Sequence, residues 1–545
     1  MFNLLRIFNK DNSNKNIQED EKSRRQSYLD ELQEKIYVKS EFRSAMNLFI
    51  SDEDNKVKAY LSVVNGESKK APIKSQIKQI KTQAENNNVE LFVINKSLED
   101  VNDLNNNVKS KDIVVADTRM QTLARNTFAM AEKSKASDIH INVETDIARV
   151  KIRVHGLLKE VDQWDKNTAE QFISTVYNTM CDVSDTHFDR QTPQSARIKD
   201  KKYLPSTVFG IRMATTPQSE GMYAVFRLLS KQSGNEITRI KDLGYEDSQV
   251  SLIEKMKKKP VGLNIIVGAT GSGKSTTIQS ILTEIGEVTK GQKNIISVED
   301  PPEYPIKGVT QIPVANARDE SERKAKFNQA ITAAMRLDPD IIMLGEIRDE
   351  ASAKLGLRAA MTGHPVWTTL HANSVFGAID RLMDYDVSLD MLSDPMIMSG
   401  IVYQTLVPTL CPHCKIPLKE VNVKKESDLE SSINRLLKIA NQEGYDNDHL
   451  IKNVFIRGNG CDHCKNGPFG VIGRTVVAEV LYPDNKILEL LRHNEREAAR
   501  KHWVSVMKEK PVSYNAGRLC LRGNVDPLMA EDRAGFFDHI LDVEE

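Results

Sequence analysis

The stretch Gly268-Ala269-Thr270-Gly271-Ser272-Gly273-Lys274-Ser275 fits the pattern G-x-x-x-x-G-K-[ST]. In such a loop the glycines let the backbone turn its N–H groups inward on phosphates. Lys274 then reaches the β- and γ-phosphates, and the Ser275 hydroxyl ligates Mg²⁺. The loop follows the apolar run LNIIV and opens the helical stretch STTIQSILTEI, with Thr276 beside it. That is the strand–loop–helix context the chemistry needs, so the residues predict ATP binding with Mg²⁺.

Phosphoryl transfer also needs acidic and basic partners. The segment Asp338-Pro339-Asp340-Ile341-Ile342-Met343-Leu344-Gly345-Glu346 places Glu346 at the carboxyl end of an apolar strand. There it could hold Mg²⁺ through water or polarise the attacking water. Glu299, Asp300 and Glu303 follow a second apolar strand, and strand carboxyl ends are where an α/β sheet places its ligand site. His364 and His371 bracket a third strand, PVWTTL. His371 could sense the γ-phosphate or touch a neighbouring subunit. An arginine is expected against the transferring phosphate. Candidates are Arg336, Arg348, Arg358 and Arg381 near the loop, and Arg212 and Arg227 on earlier strand-like segments; periodicity does not choose among them.

Cys411-Pro412-His413-Cys414 and Cys461-Asp462-His463-Cys464 are two half-sites of a tetrahedral thiolate centre. One such pair alone also resembles a thioredoxin-type redox motif. Two equal pairs favour four thiolates on one Zn²⁺, although 46 intervening residues exceed the usual ribbon spacing. His413 and His463 lie inside the knuckles and are weaker ligand candidates. Cys181 and Cys520 read as buried free thiols.

Positioning these groups requires a fold in which strands feed loops at one edge. Apolar strands at Leu263–Val267, Ile295–Val298, Ile341–Leu344 and Pro365–Leu370 alternate with helical stretches, the signature of a mostly parallel sheet buried on both faces. The fold class expected is α/β: a RecA-like P-loop domain over 245–545, carrying a tetracysteine zinc subdomain at 408–475. An α+β, PAS-like domain over 109–232 precedes it. That domain has a helix at Thr118–Ala136, strands at IHINV, ARVKIRV, VFGIRMATTP and YAVFRLLS, and a hairpin turn at His155-Gly156. Residues 27–108 form a smaller domain for partner docking, read as helical patterns with one short strand at Glu90–Ile94. Residues 1–26 form a tail. The stretches 101–112 and 231–247 read as linkers.

The 545 residues exceed one ordinary hydrophobic core. The net charge of −1 disfavours nucleic-acid binding through a globally basic surface. No apolar run reaches the roughly 18–20 residues of a membrane-spanning helix. The opening MFNLLRIF is too short for a signal-peptide core, so a cytoplasmic chain is expected. Six cysteines in such a chain argue against a disulfide framework.

Taken together, the motifs resemble the secretion ATPase superfamily that powers type IV pilus assembly and type II secretion. GATGSGKSTT (268–277), VEDPPEY (298–304), RLDPDIIMLGEIRD (336–349) and MTGHPVWTTLHANS (361–374) match its Walker A, Asp box, Walker B and His box, in the family's order. ASDIHI (136–141) and VFRLL (225–229) resemble its second N-terminal domain. The resemblance implies a homohexameric ring with nucleotide between two domains. It also implies a catalytic Glu346, Asp-box acids at Glu299, Asp300 and Glu303, and arginines Arg212 and Arg227 reaching the phosphates. A tetracysteine subdomain typifies the assembly and secretion branch, which points to extension rather than retraction. Pro302 stands where the family has Val or Ile, and PQSARI (193–198) departs from its usual Gly before Arg. The chain looks most like a type IVb pilus assembly ATPase, as of the bundle-forming pilus.

The function expected is a cytoplasmic ATPase, peripheral at the inner membrane, that extends a pilus. Its partners would be an inner-membrane platform protein and other cytoplasmic assembly components. A type II secretion ATPase is the alternative. A nucleic-acid motor and a scaffold without turnover stand as rivals from other classes.

Overall fold

The structure is a computed structural model. It describes residue 36 and residues 46–53, 56–64, 70–87, 89–96, 119–184, 187–230, 238–314, 320–423, 427–464 and 468–538. The expected tail at 1–26 and the linker at 101–112 lie outside the described residues. The chain divides into two compact units, Met1–Met120 and Gln121–Glu545.

In the first unit, strands β1 (Met46–Glu53), β2 (Lys56–Val64) and β3 (Glu90–Lys96) form one sheet in that order, with helix α1 (Ala71–Asn86) before β3. This corrects the expectation of helical patterns with a single strand. Ala59, Leu61 and Val63 are fully buried at every second position. That is a strand period, obscured in the sequence by intervening Tyr60 and Ser62.

Helix α2 spans residues 119–133, nearly all of it in the second unit. It ends earlier than expected, because Ala136 already begins β4 (Ala136–Val143). There follow β5 (Ile147–Val154), β6 (Leu157–Asp165), helix α3 (Lys166–Thr175), β7 (Val183–Ser184), β8 (Gln194–Ile198), β9 (Val208–Gln218) and β10 (Gly221–Ser230). All seven strands pair antiparallel in the order β6-β5-β4-β10-β9-β8-β7. His155 and Gly156 both take positive φ, 51° and 84°, as a tight two-residue hairpin turn requires. Phe128 of α2, Phe172 of α3 and Phe226 of β10 pack edge to face or tilted, with ring centroids 5.7–6.4 Å apart. They nail both helices to one face of the sheet.

After helix α4 (Asp247–Lys258), a second seven-stranded sheet follows the order β13-β12-β14-β15-β11-β16-β19. Its strands are β11 (Gly262–Val267), β12 (Ile295–Glu299), β13 (Val309–Pro313), β14 (Ile341–Leu344), β15 (Pro365–Leu370), β16 (Met398–Leu410) and β19 (Val471–Leu481). Every pairing is parallel except β16 with β19. The intervening helices are α5 (Lys274–Val288), α6 (Glu320–Ala334), α7 (Glu350–Met361), α8 (Val375–Asp384) and the short α9 (Leu389–Leu392). Leu263, Ile265 and Val267 point into one core and Ile266 into another. A sheet covered on both faces explains the uninterrupted apolar runs.

Strands β17 (Ile416–Pro417) and β18 (Phe455–Ile456), with helices α10 (Ser427–Gln442) and α11 (Asn447–Asn453), lie between β16 and β19. The chain ends in helices α12 (Asn485–Arg492), α13 (Arg496–Ser505), α14 (Val512–Leu521) and α15 (Pro527–Ala534). Leu418, Leu436, Ile439 and Leu450 of the cysteine-bearing insertion share one core with Tyr514 and Leu519 of α14 and with Phe537 just past α15. The insertion is therefore welded to the chain's end rather than hung from the sheet. Residues 238–247, read as linker, are also built in: Ile240 and Tyr245 are buried. Cys520 is buried as expected, whereas Cys181 is only partly so.

Candidate active site

The loop 268–275 joins β11 to α5, and its shape is set from beneath. Gly268 takes φ 149°, and a Cβ there would stand 2.4 Å from the Gln404 carbonyl oxygen. Gly273, the N-cap of α5, takes φ 88° and offers no side-chain cap. The first N–H groups of α5 are thus left to face whatever fills the cleft. The Lys274 ammonium donates to the carbonyls of Gly268 at 2.6 Å and Ala269 at 3.0 Å. Burial lowers its pKa to about 8, against the opposing pull of Glu346 and Glu303.

Parallel strands bring the other motifs to the same edge. A cleft of about 750 Å³ is lined by residues 269–276, Glu299, Asp300, Glu303, Glu346 and His371. Arg212 and Arg227 line it from the antiparallel sheet. Of the residues expected to bind nucleotide, only Gly268 is set back from the lining. Cationic side chains outnumber carboxylates on these walls, which suits a polyphosphate.

The register of the antiparallel sheet explains the arginines. Asp138 pairs with Arg227, Arg227 with Arg212, and Arg212 with Arg197, so four charged residues stand in one row across β4, β10, β9 and β8. Like charges directly opposite one another on a sheet are destabilising, and here carboxylates offset them. Arg227 Nε donates to Asp138 Oδ1 at 2.9 Å. Arg212 reaches across the cleft: Nη2 donates to the Pro301 carbonyl at 2.8 Å, and Nη1 lies 3.4 Å from Glu303 Oε1. The two sheets are thereby joined at the Asp box.

The remaining carboxylates are held by named donors. Glu299 Oε1 accepts from Ser297 Oγ at 2.7 Å and Gln311 Nε2 at 2.8 Å. Asp300 Oδ2 receives Arg323 Nε at 2.6 Å and Arg348 Nη1 at 3.0 Å. Arg348 Nε also donates to Glu346 Oε2 at 2.8 Å, while His371 Nε2 stands 3.1 Å from Glu346 Oε1. Burial, and next the Lys274 charge, lower the His371 pKa, so the ring is neutral near pH 7. Glu346 is therefore held by Arg348 on one oxygen, with the His371 ring beside the other.

Arg323 escaped the sequence reading. It sits on α6 in a stretch with no motif, and only the tertiary approach of α6 to β12 brings it to Asp300. Arg474 on β19 and Arg533 on α15 also line the cleft unforeseen. His364, Arg336, Arg358 and Arg381 are absent from its walls. His364 precedes β15, at the opposite edge of the sheet, with Nδ1 3.1 Å from the Ala359 carbonyl.

Apart from the cleft, the Sγ atoms of Cys411, Cys414, Cys461 and Cys464 lie within 4.8 Å of one another. Neighbouring separations of 3.7, 3.8 and 3.9 Å recur. Tetrahedral Zn–S bonds of about 2.3 Å place sulfurs about 3.8 Å apart, so the four residues fit a zinc ion. Cys464 Sγ also accepts from the N–H groups of Cys461 and Gly470, each at 3.3 Å, as a thiolate ligand would.

A family model described as "Type II/IV secretion system protein" matches residues 115–523. The chain belongs to this family. It is an ATPase of the type II/IV secretion group. Type II secretion system protein E of Pseudomonas aeruginosa is 33% identical over 366 residues, covering 67% of this chain and 65% of that protein. Type II secretion system ATPase E of Vibrio cholerae is 32% identical, covering 68% of this chain and 67% of that one. Type IV pilus assembly ATPase PilB of Thermus thermophilus is 33% identical over 71% of this chain and 40% of its own length. Among the described residues of this secretion-family ATPase, no helix is long and apolar enough to cross a membrane.

Proposed function

We propose that this ATPase is a cytoplasmic homohexamer, peripheral at the inner membrane. It drives extension of a type IV pilus, of the type IVb class, through a membrane platform protein and cytoplasmic assembly components. The observation that carries this reading is the single cleft walled by two sheets: the phosphate loop and acidic boxes on one side, Arg212 and Arg227 on the other. A nucleotide there touches both walls, so its hydrolysis changes how they are held together. That is the requirement for converting chemistry into domain movement.

In this reading the loop 268–275 and Thr276 hold the phosphates, and Lys274 neutralises them. Ser275, with Glu299 and Asp300 nearby, would hold Mg²⁺, which supplies charge neutralisation at the phosphates. Glu346 takes the proton of the attacking water. Glu303 and His371 fix the geometry around it, and Arg212 and Arg227 stabilise the transferring group. The four cysteines hold a structural zinc. The tetracysteine cluster supports the assembly and secretion branch over retraction.

A second reading, a motor of type II secretion, is favoured by the names of two of the relatives above. Deleting the gene separates the two: loss of surface pili with normal protein export supports the first, and loss of export with intact pili overturns it. A nucleic-acid motor would instead show hydrolysis strongly stimulated by single-stranded DNA but not by a fragment of the platform protein.

A further inference from the structure

Beneath the phosphate loop runs a buried chain of side-chain hydrogen bonds that links the loop to two residues outside the matched family motifs, Tyr245 and Gln404. Gln404, on β16, is fully buried. Its Nε2 donates to the Ser272 carbonyl of the loop at 2.7 Å. Its Oε1 accepts from the Tyr245 hydroxyl at 2.6 Å. The Tyr245 oxygen also lies 3.1 Å from Thr277 Oγ1, in the first turn of α5. A phenol has one proton, and Gln404 Oε1 can only accept, so Thr277 must donate to Tyr245. The chain is therefore directional: Thr277 to Tyr245 to Gln404 to the Ser272 carbonyl. In such chains each bond polarises the next, and an orphaned member in a dry interior is costly.

Tyr245 belongs to the segment by which the chain enters the ATPase half from the antiparallel half. That segment is fastened to two elements of the ATPase half. The Ile240 N–H donates to Glu284 Oε1 on α5 at 2.8 Å. The Leu243 carbonyl accepts from the Val476 N–H on β19 at 3.0 Å. Two residues earlier on β19, Arg474 lines the cleft. The connecting segment is thus bonded to the loop's helix, to the loop's carbonyl through Gln404, and to the strand that carries a cleft arginine.

We infer that Gln404 and Tyr245 are positioning residues for the phosphate loop, coupling its nucleotide-binding conformation to the segment that joins the two halves. Gln404 holds the Ser272 carbonyl down, away from the phosphates, so that the loop's N–H groups face the cleft. Tyr245 fixes the orientation of the Gln404 amide. A shift of the connecting segment then alters the loop's grip on nucleotide. The inference rests on this loop being the nucleotide site.

The test is a double-mutant cycle on the full chain, read by titration with the fluorescent analogue mant-ATP. Gln404→Met removes the donor to Ser272 at similar volume, and Tyr245→Phe removes only the hydroxyl. Losing one such bond is expected to weaken mant-ATP binding about fivefold in Gln404→Met and about threefold in Tyr245→Phe. The double variant is expected to be no weaker than Gln404→Met, because both act through one amide. KM for ATP should rise in parallel, with kcat at saturation within about twofold of wild type. Wild-type affinity in either single variant, or additive losses in the double, overturns the relay. Lys274→Ala keeps the failures apart: if it binds mant-ATP like wild type, the loop is not the site.

Discussion

At the scale of single residues, Lys274 and Glu346 differ in what the surroundings do to them. Lys274 is an ammonium resting on neutral carbonyls, with a pKa near 8 because burial outweighs the nearby carboxylates. Phosphates bind its charged form. ATP affinity is therefore expected to be level below pH 8 and to fall above it by up to about tenfold per pH unit, as binding must then take up a proton. Titration of nucleotide affinity between pH 7 and pH 10 checks this, and a flat profile contradicts it. Glu346 accepts from Arg348 and has the His371 ring 3.1 Å from its other oxygen. Glu346→Gln keeps the hydrogen-bonding shape but loses the base. Its kcat is expected to fall about 10²- to 10⁴-fold with ATP binding retained, as measured by steady-state hydrolysis beside equilibrium binding. Lys274, Glu346 and the Asp-box acids were legible in the sequence because a motif fixes each one's place, Lys274 at the start of the helix after the loop and the acids just past strands. Arg323 was not, because α6 reaches Asp300 only through packing.

At the scale of elements, the cysteine-bearing insertion is two thiolate knuckles whose backbones are tied together. The Cys411 N–H donates to the Gly470 carbonyl at 2.9 Å. Its helices α10 and α11 pack into the core of the C-terminal helices. Zinc removal should therefore be felt well beyond the knuckles. Cys461→Ser is expected to reduce bound zinc from one per chain to near zero. Amide-exchange protection should then be lost in α10, α11 and α14 together, while β11 and α5 stay protected. Elemental analysis and hydrogen exchange check this, and loss confined to residues near 411–414 and 461–464 argues for an isolated module. The spacing of the cysteines announced the knuckles. It was silent about their shared core, because 46 residues separate the pairs and the partner helices come last in the chain.

At the scale of the whole Gln121–Glu545 unit, Arg212 bridges the two sheets. Arg212→Ala is expected to lower kcat by about 10²- to 10³-fold, in the manner of an arginine supplied to a phosphoryl-transfer site. ATP affinity should change by less than about tenfold, since the loop and Lys274 remain. Arg212→Lys should not restore the rate, because an ammonium lacks the fork that spans Glu303 and the Pro301 carbonyl. Steady-state kinetics of the three proteins decide the matter; full activity in Arg212→Ala would remove this residue from the site.

By itself, the sequence determined the parallel sheet, the phosphate loop at its edge, the acidic boxes and the paired cysteines. Each of these is written in local pattern: apolar runs of strand length, glycines at a turn, and short spacings between ligands. Local pattern did not choose among the arginines, and the resemblance pointed only to Arg212 and Arg227. The row Asp138–Arg227–Arg212–Arg197 is a matter of strand register between distant segments. Only the tertiary structure brought Arg323, Arg474 and Arg533 to the cleft. It also decided that β1 and β2 are strands, and that the supposed linker around Tyr245 is buried beneath the loop. Pairing and burial depend on what lies across from a residue, and that neighbour is not encoded next to it in the chain.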